Sequence, residues 1–246
     1  RMRMFKQEVE LAAIQEAIDI TVSTLKEVLR PKQLAKYAYE YEIEADLTRG
    51  FRRQGGAGLL GHAFPPIVAS GERTCTMHHI QNSAPLVTGE VLILDVGAQS
   101  GSYASDIART VVLGGHPSRR QQLVYDAVLE AQEYAFSLLK PGLIVRNYEK
   151  QMEEFIGEKL RELGLIKTIE REAVRRFFPH ATSHFLGLDM HDAGDYDHPL
   201  EPGAVLTVEP GIYIPEESIG VRIEDDVLIT AEGVKVLSRN LPRLLA

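Results

Sequence analysis

The feature that most limits what this chain can become is an acid-bearing apolar segment that occurs twice. Gly89-Glu-Val-Leu-Ile-Leu-Asp95-Val-Gly97 aligns with Gly203-Ala-Val-Leu-Thr-Val-Glu209-Pro-Gly211; in each, an acid stands six residues after one glycine and two before another. Each segment reads as a strand (Ala204 to Val208 in the second copy), followed by turn residues and a second apolar run. That run is Asp106 to Leu113 in the first copy and Gly220 to Ile229 in the second, so Asp106 takes the role that Glu224 takes later. Side chains alternate along a strand, so Arg222 and Glu224 share one face while Val221 and Ile223 take the other. Val, Ile and Leu dominate both faces, the pattern of strands buried on both sides. A carboxylate there is costly unless a cation meets it. Two acids converging from paired strands ask for more positive charge than Arg222 carries.

The surrounding pattern repeats as well. Residues 8–30 read as an amphipathic helix, with Leu11, Ile14, Ile18, Val22, Leu25 and Leu29 on one side. Pro31 stops it, and a second helix is expected over 32–49, ended by Gly50 and the Gly55-Gly56-Ala57-Gly58 run. A loop over 54–74 with a short strand at Ile67 to Ala69 leads to the first acid hairpin, 90–113. Gly114-Gly115-His116-Pro117 marks an internal boundary, after which the order restarts. Helices are expected at 118–139 and 146–163, then a histidine-rich stretch at 177–198, then the second hairpin. The expected fold is α+β: two pseudo-symmetric halves, about 5–115 and 116–240, each with two helices and an antiparallel hairpin around a central site. Together they form a single domain over 1–246.

Totals exclude several functions. A net charge of -8, with acids and bases interspersed and no basic block, argues against nucleic acid or an anionic membrane as partner. No apolar run is long enough to cross a bilayer and no signal-peptide pattern opens the chain. The single cysteine, Cys75, excludes an intramolecular disulfide and a cysteine zinc cluster, and fits a reducing, cytoplasmic setting. A thiol-protease reading of Cys75 with His78 lacks an oxyanion-hole signature, and a lone cysteine in an apolar stretch is ordinarily a small core residue. The chain begins at Arg1 rather than methionine, so it is expected to be processed or cut from something longer.

Asp95, Asp106, Glu209 and Glu224 would bring four negative charges into one site. Mutual repulsion would raise their pKa values and loosen the site, whereas two divalent cations offset the charge. Oxygen-rich ligation with one imidazole suits Mn²⁺ best, then Zn²⁺ or Co²⁺, with Ca²⁺ less suited. The imidazole must come from the histidine-rich stretch, where His180, His184 and His191 fall within twelve residues. Phe185, Leu186 and Leu188 argue for a partly buried strand and turn. His184 and His191, seven apart, are too distant for periodicity to assign them to one face.

His184-Phe-Leu-Gly-Leu-Asp-Met-His-Asp192, Glu209-Pro-Gly-Ile-Tyr213, Arg222-Ile-Glu-Asp-Asp226 and the Asp95…Asp106 pair resemble the metallopeptidases of the pita-bread fold. The pattern is most similar to aminopeptidase P and prolidase, which cut beside proline, and it covers nearly the whole chain from Arg3 to Leu11 onward. In those relatives a separate N-terminal domain comes first; residues 1–246 hold no counterpart of it, so this stretch resembles the catalytic domain alone. The resemblance implies metal ligation by Asp95, Asp106, His184, Glu209 and Glu224, with Asp106 and Glu224 bridging two cations. It implies a bridging hydroxide that attacks the Xaa-Pro bond, with Glu209 as general base passing its proton toward the proline nitrogen. His78 and His191 would be the non-ligand catalytic histidines, His191 contacting substrate and the tetrahedral intermediate. His180 would line the proline pocket, and Tyr213 would stand near the site. Arg222 would either bind substrate or neutralise neighbouring acids. His79 is expected to be structural, and His62, His116 and His198 are read as loop residues with no special role. The expected partner is a peptide with proline second, and a homodimer is compatible with the family. A strict Xaa-Pro dipeptidase, a creatinase-like enzyme and a binding module without catalysis are the alternatives. The intact set of five ligand positions counts against the last two.

Overall fold

The computed structural model describes residues 2–58 and 60–245. Helix α1 (Glu8–Val28) buries Ile14, Ile18, Leu25 and Val28 and closes its first turn with a capping box between Gln7 and Glu10. Beyond Pro31 the expected single helix is two. A short turn of helix, α2 (Pro31–Leu34), is followed by α3 (Glu40–Arg53), which has its own start at Tyr39 with Glu42 reaching back to the cap. Tyr39 bridges to Pro85 and Glu40 N–H donates to Ala84 O at 3.0 Å, so tertiary pairing resets the chain between the two. Gly50 does not end α3. A side chain there would lie 2.4 Å from Thr24 Cγ2, so the glycine lets α1 and α3 pack closely.

The first sheet runs β1 (Ile67–Ser70), β2 (Val91–Val96) and β5 (Ile107–Val112), all antiparallel, with β2 in the middle. A 3-10 turn, Gly71–Cys75, follows β1. The connection from β2 to β5 folds into a small hairpin, β3 (Gln99–Ser100) with β4 (Tyr103–Ala104). The second half opens with α4 (Arg119–Leu138), capped by Ser118, then α5 (Val145–Glu162). A further helix, α6 (Arg171–Phe177), lies just ahead of the histidine-rich stretch, beyond the two helices expected in this half.

The second hairpin departs from expectation in the same way as the first. β6 (Val205–Val208) pairs with β9 (Asp225–Thr230), and an inserted pair, β7 (Gly211–Ile214) and β8 (Ile219–Arg222), sits between them. The expected continuous strand from Gly220 to Ile229 therefore breaks at Ile223 and Glu224, because Glu224 N–H leaves the ladder and donates to Ala108 O on β5 at 3.0 Å. β10 (Gly233–Val236) completes the sheet. The histidine-rich stretch forms no strand. It touches β6 through the Phe185–Leu206 bridge, lying beside β6 much as β1 lies beside β2.

Two hydrophobic clusters form, one centred on each half, and each takes in side chains from the other, Val91 and Val112 in one and Leu186 and Val205 in the other. α1 and α3 pack on β1 and β2 through Ile14, Ile18, Ile43, Leu47 and Leu94, and α4 and α5 pack on the second sheet through Val124, Val128, Tyr148, Leu206 and Val227. The halves meet where Thr110 of β5 lies against Arg222 of β8: Thr110 Oγ1 donates to Arg222 O at 2.8 Å and accepts from Arg222 N–H at 3.0 Å. No helix among the described residues is long and apolar enough to cross a membrane.

Candidate metal centre

The acids reach the centre because each stands where a ladder ends. Asp95 is near the end of β2, Asp106 just precedes β5, Glu209 just follows β6, and Glu224 fills the break between β8 and β9. Asp95, Asp106 and Glu224 are buried; Glu209 is half-buried. Asp106, His184 and Glu224 place a ligand atom each within 4.8 Å of one another. His184 Nε2 lies 3.5 Å from Asp106 Oδ2 and 3.3 Å from Glu209 Oε1, which brings Glu209 to the same group. Asp95 adjoins Asp106 and is met on its other side by Arg222. These residues line one cavity of about 800 Å³, shared with His78, His180, His191 and apolar groups including Phe64, Ile67 and Met77. Arg222 and Glu224 both face it.

The electrostatics are those of an acid cluster short of positive charge. Burial, then repulsion from Asp95, holds the Asp106 carboxyl well above the usual range. Glu224 is raised by burial and by Asp106, Glu209 and Asp95. Glu209 is pushed up to about 8 by burial, with His184 and Arg222 pulling the other way. Glu224 Oε1 is buried without a hydrogen-bond partner among the described residues. A buried, partnerless carboxylate oxygen beside three other acids and an imidazole is the donor set of a hard divalent cation, so the residues present fit such ions.

The histidines divide into two groups. His184 is oriented by its backbone N–H donating to Thr207 Oγ1 at 3.2 Å, and its Nδ1 lies 3.2 Å from Phe185 O. His191 sets its ring edge-on to His184, 4.3 Å between centroids; burial and the neighbouring His184 and His78 lower its pKa. His180 Nε2 lies 2.8 Å from Tyr213 OH, which accepts from Arg222 Nε at 2.8 Å. Burial, then Arg222, holds His180 down to about 3, so it is a neutral imidazole. Arg222 thus faces Asp95, Tyr213 and Met77 at once. His79 turns away from the cavity toward Glu40. His62, expected in a loop without a role, is instead buried: Nε2 lies 2.8 Å from Thr48 Oγ1 and the ring packs edge-on to Phe51.

Sequence reasoning did not single out the residues that hold this centre from behind. Asp226, buried, accepts from Asp106 N–H at 3.1 Å, and its other oxygen has no partner among the described residues. Arg109 donates to Glu224 O at 2.6 Å and to Asp225 Oδ1 at 2.7 Å. Glu149 on α5 accepts from Thr182 and Ser183 N–H at 2.8 and 2.9 Å, next to His184, and burial raises it to about 7. Asp226 closes the Arg222-to-Asp226 stretch, but its counterpart in the first copy, two residues after Asp106, is Ala108, so the repeat carries no signal for it. Arg109 and Glu149 lie on regular elements with no local signal.

The family model for the metallopeptidase family M24 matches residues 12–231. The chain is 37% identical to human Xaa-Pro aminopeptidase 3 over 262 residues, covering 99% of this chain and 50% of that protein. It is 36% identical to the Xaa-Pro aminopeptidase of Haemophilus influenzae, covering all of this chain and 60% of that one. The chain thus spans about half to three-fifths the length of these curated relatives. Among solved structures, proline aminopeptidase P II from Yersinia pestis superposes with a TM-score of 0.91 at 35% identity, over 99% of this chain and 59% of that one. An Escherichia coli aminopeptidase P variant in complex with substrate gives 0.89 at 32%, over 99% and 58%. The architecture is the pita-bread fold of these structures.

Proposed function

Because the chain belongs to the metallopeptidase family M24, we propose that it hydrolyses the bond between an N-terminal residue and proline, as a Xaa-Pro aminopeptidase working with two divalent cations, Mn²⁺ foremost. The observation that carries this reading is the convergence of Asp106, His184 and Glu224 within 4.8 Å, with Glu209 and Asp95 adjoining, in one cavity. Asp95, Asp106, His184, Glu209 and Glu224 would hold the cations. When bound, these supply Lewis acidity to the attacking water and the scissile carbonyl.

The side chains do the rest. Glu209 takes the proton of the attacking water and delivers it to the leaving proline nitrogen. His191 and His78, on the rim of the cavity, offer imidazole hydrogen bonds to the carbonyl oxygen as it gains charge. Neutral His180, held by Tyr213, which Arg222 holds in turn, forms part of the wall that receives the proline ring. Proline has no N–H to offer and a fixed φ, so recognition falls to ring contacts rather than strand pairing. The similarity to human Xaa-Pro aminopeptidase 3 and to the Escherichia coli Xaa-Pro aminopeptidase supports this specificity.

The test is Asp106→Asn, which keeps the shape and removes a charge from the cluster. Elemental analysis should show metal content lost, and hydrolysis of a tripeptide with proline second should vanish while circular dichroism stays that of the parent. Full activity in this variant would defeat the proposal. Comparing that tripeptide with an Xaa-Pro dipeptide separates an aminopeptidase from a strict dipeptidase.

A further inference from the structure

His78 reaches the cavity on a segment with little regular structure. Residues 76–84 carry Met77, His78 and Ile80 to the cavity wall without a strand or helix. The chain turns there through two non-glycine residues in the left-handed region, His78 at φ 54° and Asn82 at φ 44°. Such conformations persist only where the surroundings over-determine the backbone.

One side chain supplies several of those constraints. Glu40, the first residue of α3, is fully buried. Its Oε1 accepts from Ser70 N–H and Ser70 Oγ, each at 2.8 Å, and from Arg73 Nε at 3.4 Å. Its Oε2 accepts from Ala84 N–H at 3.0 Å and lies 3.3 Å from His79 Nε2. One carboxylate therefore ties both ends of the 70–84 segment and the residue next to His78. Asn82 adds a second tie, accepting from Val68 N–H at 3.0 Å and donating to Pro66 O at 2.9 Å. Neither Glu40 nor His79 lines the cavity.

We propose that Glu40 is a positioning residue that holds His78 against the substrate by closing the 70–84 segment on itself. The role given to His78 rests on the Xaa-Pro hydrolase reading. The holding of His78 by Glu40 stands apart from it. Glu40→Gln is the informative variant: an amide sets N–H groups against the donors at one end of the segment. In zinc-loaded protein labelled with ¹⁵N-histidine, the His78 resonance should shift or broaden in this variant while those of His184 and His191 stay, and metal content should match the parent. With a Xaa-Pro tripeptide, kcat/KM should fall on the order of tenfold to a hundredfold. The change should divide between kcat and KM as it does in His78→Ala, and Glu40→Gln/His78→Ala should be no worse than His78→Ala alone. An unmoved His78 resonance, or losses that multiply in the double variant, would overturn the proposal. If Glu40→Gln does not fold, His79→Ala removes one of the ties, and the same resonance and the same double-variant comparison then support or overturn the proposal. If the parent itself fails to cut the peptide, the functional reading falls while the His78 resonance still decides the role of Glu40.

Discussion

Glu224 Oε1 and His62 Nδ1 are both buried without partners among the described residues, and they call for opposite explanations. Around Glu224 stand other acids, so what is missing is positive charge. Around His62 stand Phe51 and Thr48, so what is avoided is positive charge. Burial holds the His62 imidazole down to about 4 against 6.5 for the free group. The unfolded chain therefore binds the proton first as pH falls. The stability His62 contributes is complete above pH 6.5 and is lost as pH drops through about 4. Across that window the loss is about 3 kcal/mol. Urea unfolding between pH 7 and 4 should show this decline in the parent and a flatter limb in His62→Gln; identical limbs would refute the argument. Nothing in the sequence near Gly61-His62 distinguishes this histidine from one in a solvated loop, because its burial comes from α3 packing over it.

At the scale of elements, acid-bearing strands were legible and their interruptions were not. Gly203 to Thr230 has the apolar content of a two-stranded hairpin, yet β7 and β8 are folded out between β6 and β9. The break at Glu224 follows from pairing with Ala108, over a hundred residues away. Gly220 shows how tightly β8 is seated: an added Cβ would lie 2.3 Å from Thr74 O in the turn after β1, and Gly220 N–H donates to Thr74 Oγ1 at 2.8 Å. Gly220→Ala must push β8 away from that turn and carry Arg222 with it. Overpacking of this kind costs about 1–3 kcal/mol, or about 2–4 °C in Tm for each kcal/mol at this chain length. Calorimetry and peptide hydrolysis together should show activity falling further than the folded fraction does. A variant with parental Tm and parental activity would show that β8 is free to move.

Taken whole, the molecule is two packed halves whose junction holds a buried polar network beside apolar contacts. Arg109 lies at its heart, 1% exposed, on the strand that carries Asp106 into the site. It donates to Asp225 Oδ1, to Glu224 O, to Leu241 O at 3.1 Å and to Pro242 O at 3.0 Å, tying the first half to the second and to the end of the chain. Asp225 is also held by Gln132 Nε2 at 3.0 Å and by Ser238 Oγ. Removing one partner of a buried pair leaves the other uncompensated, at a cost of about 3–5 kcal/mol. Arg109→Met should lower the urea midpoint accordingly, and adding Asp225→Asn should recover part of the loss. A double variant as unstable as the two single losses added together would show that the pair is not coupled.

What the sequence by itself determined is the kind of object: a doubled α+β arrangement with acids at matching places at or beside the ends of apolar strands, since strand alternation and the cost of buried charge act locally and leave a periodic trace. Only the tertiary structure decided which atoms meet. The break at Glu224, the turned-back path through His78, and the grips of Arg109, Glu40 and Glu149 all depend on contacts between distant segments. A hydrogen bond across the fold constrains a residue without marking its neighbours in the chain.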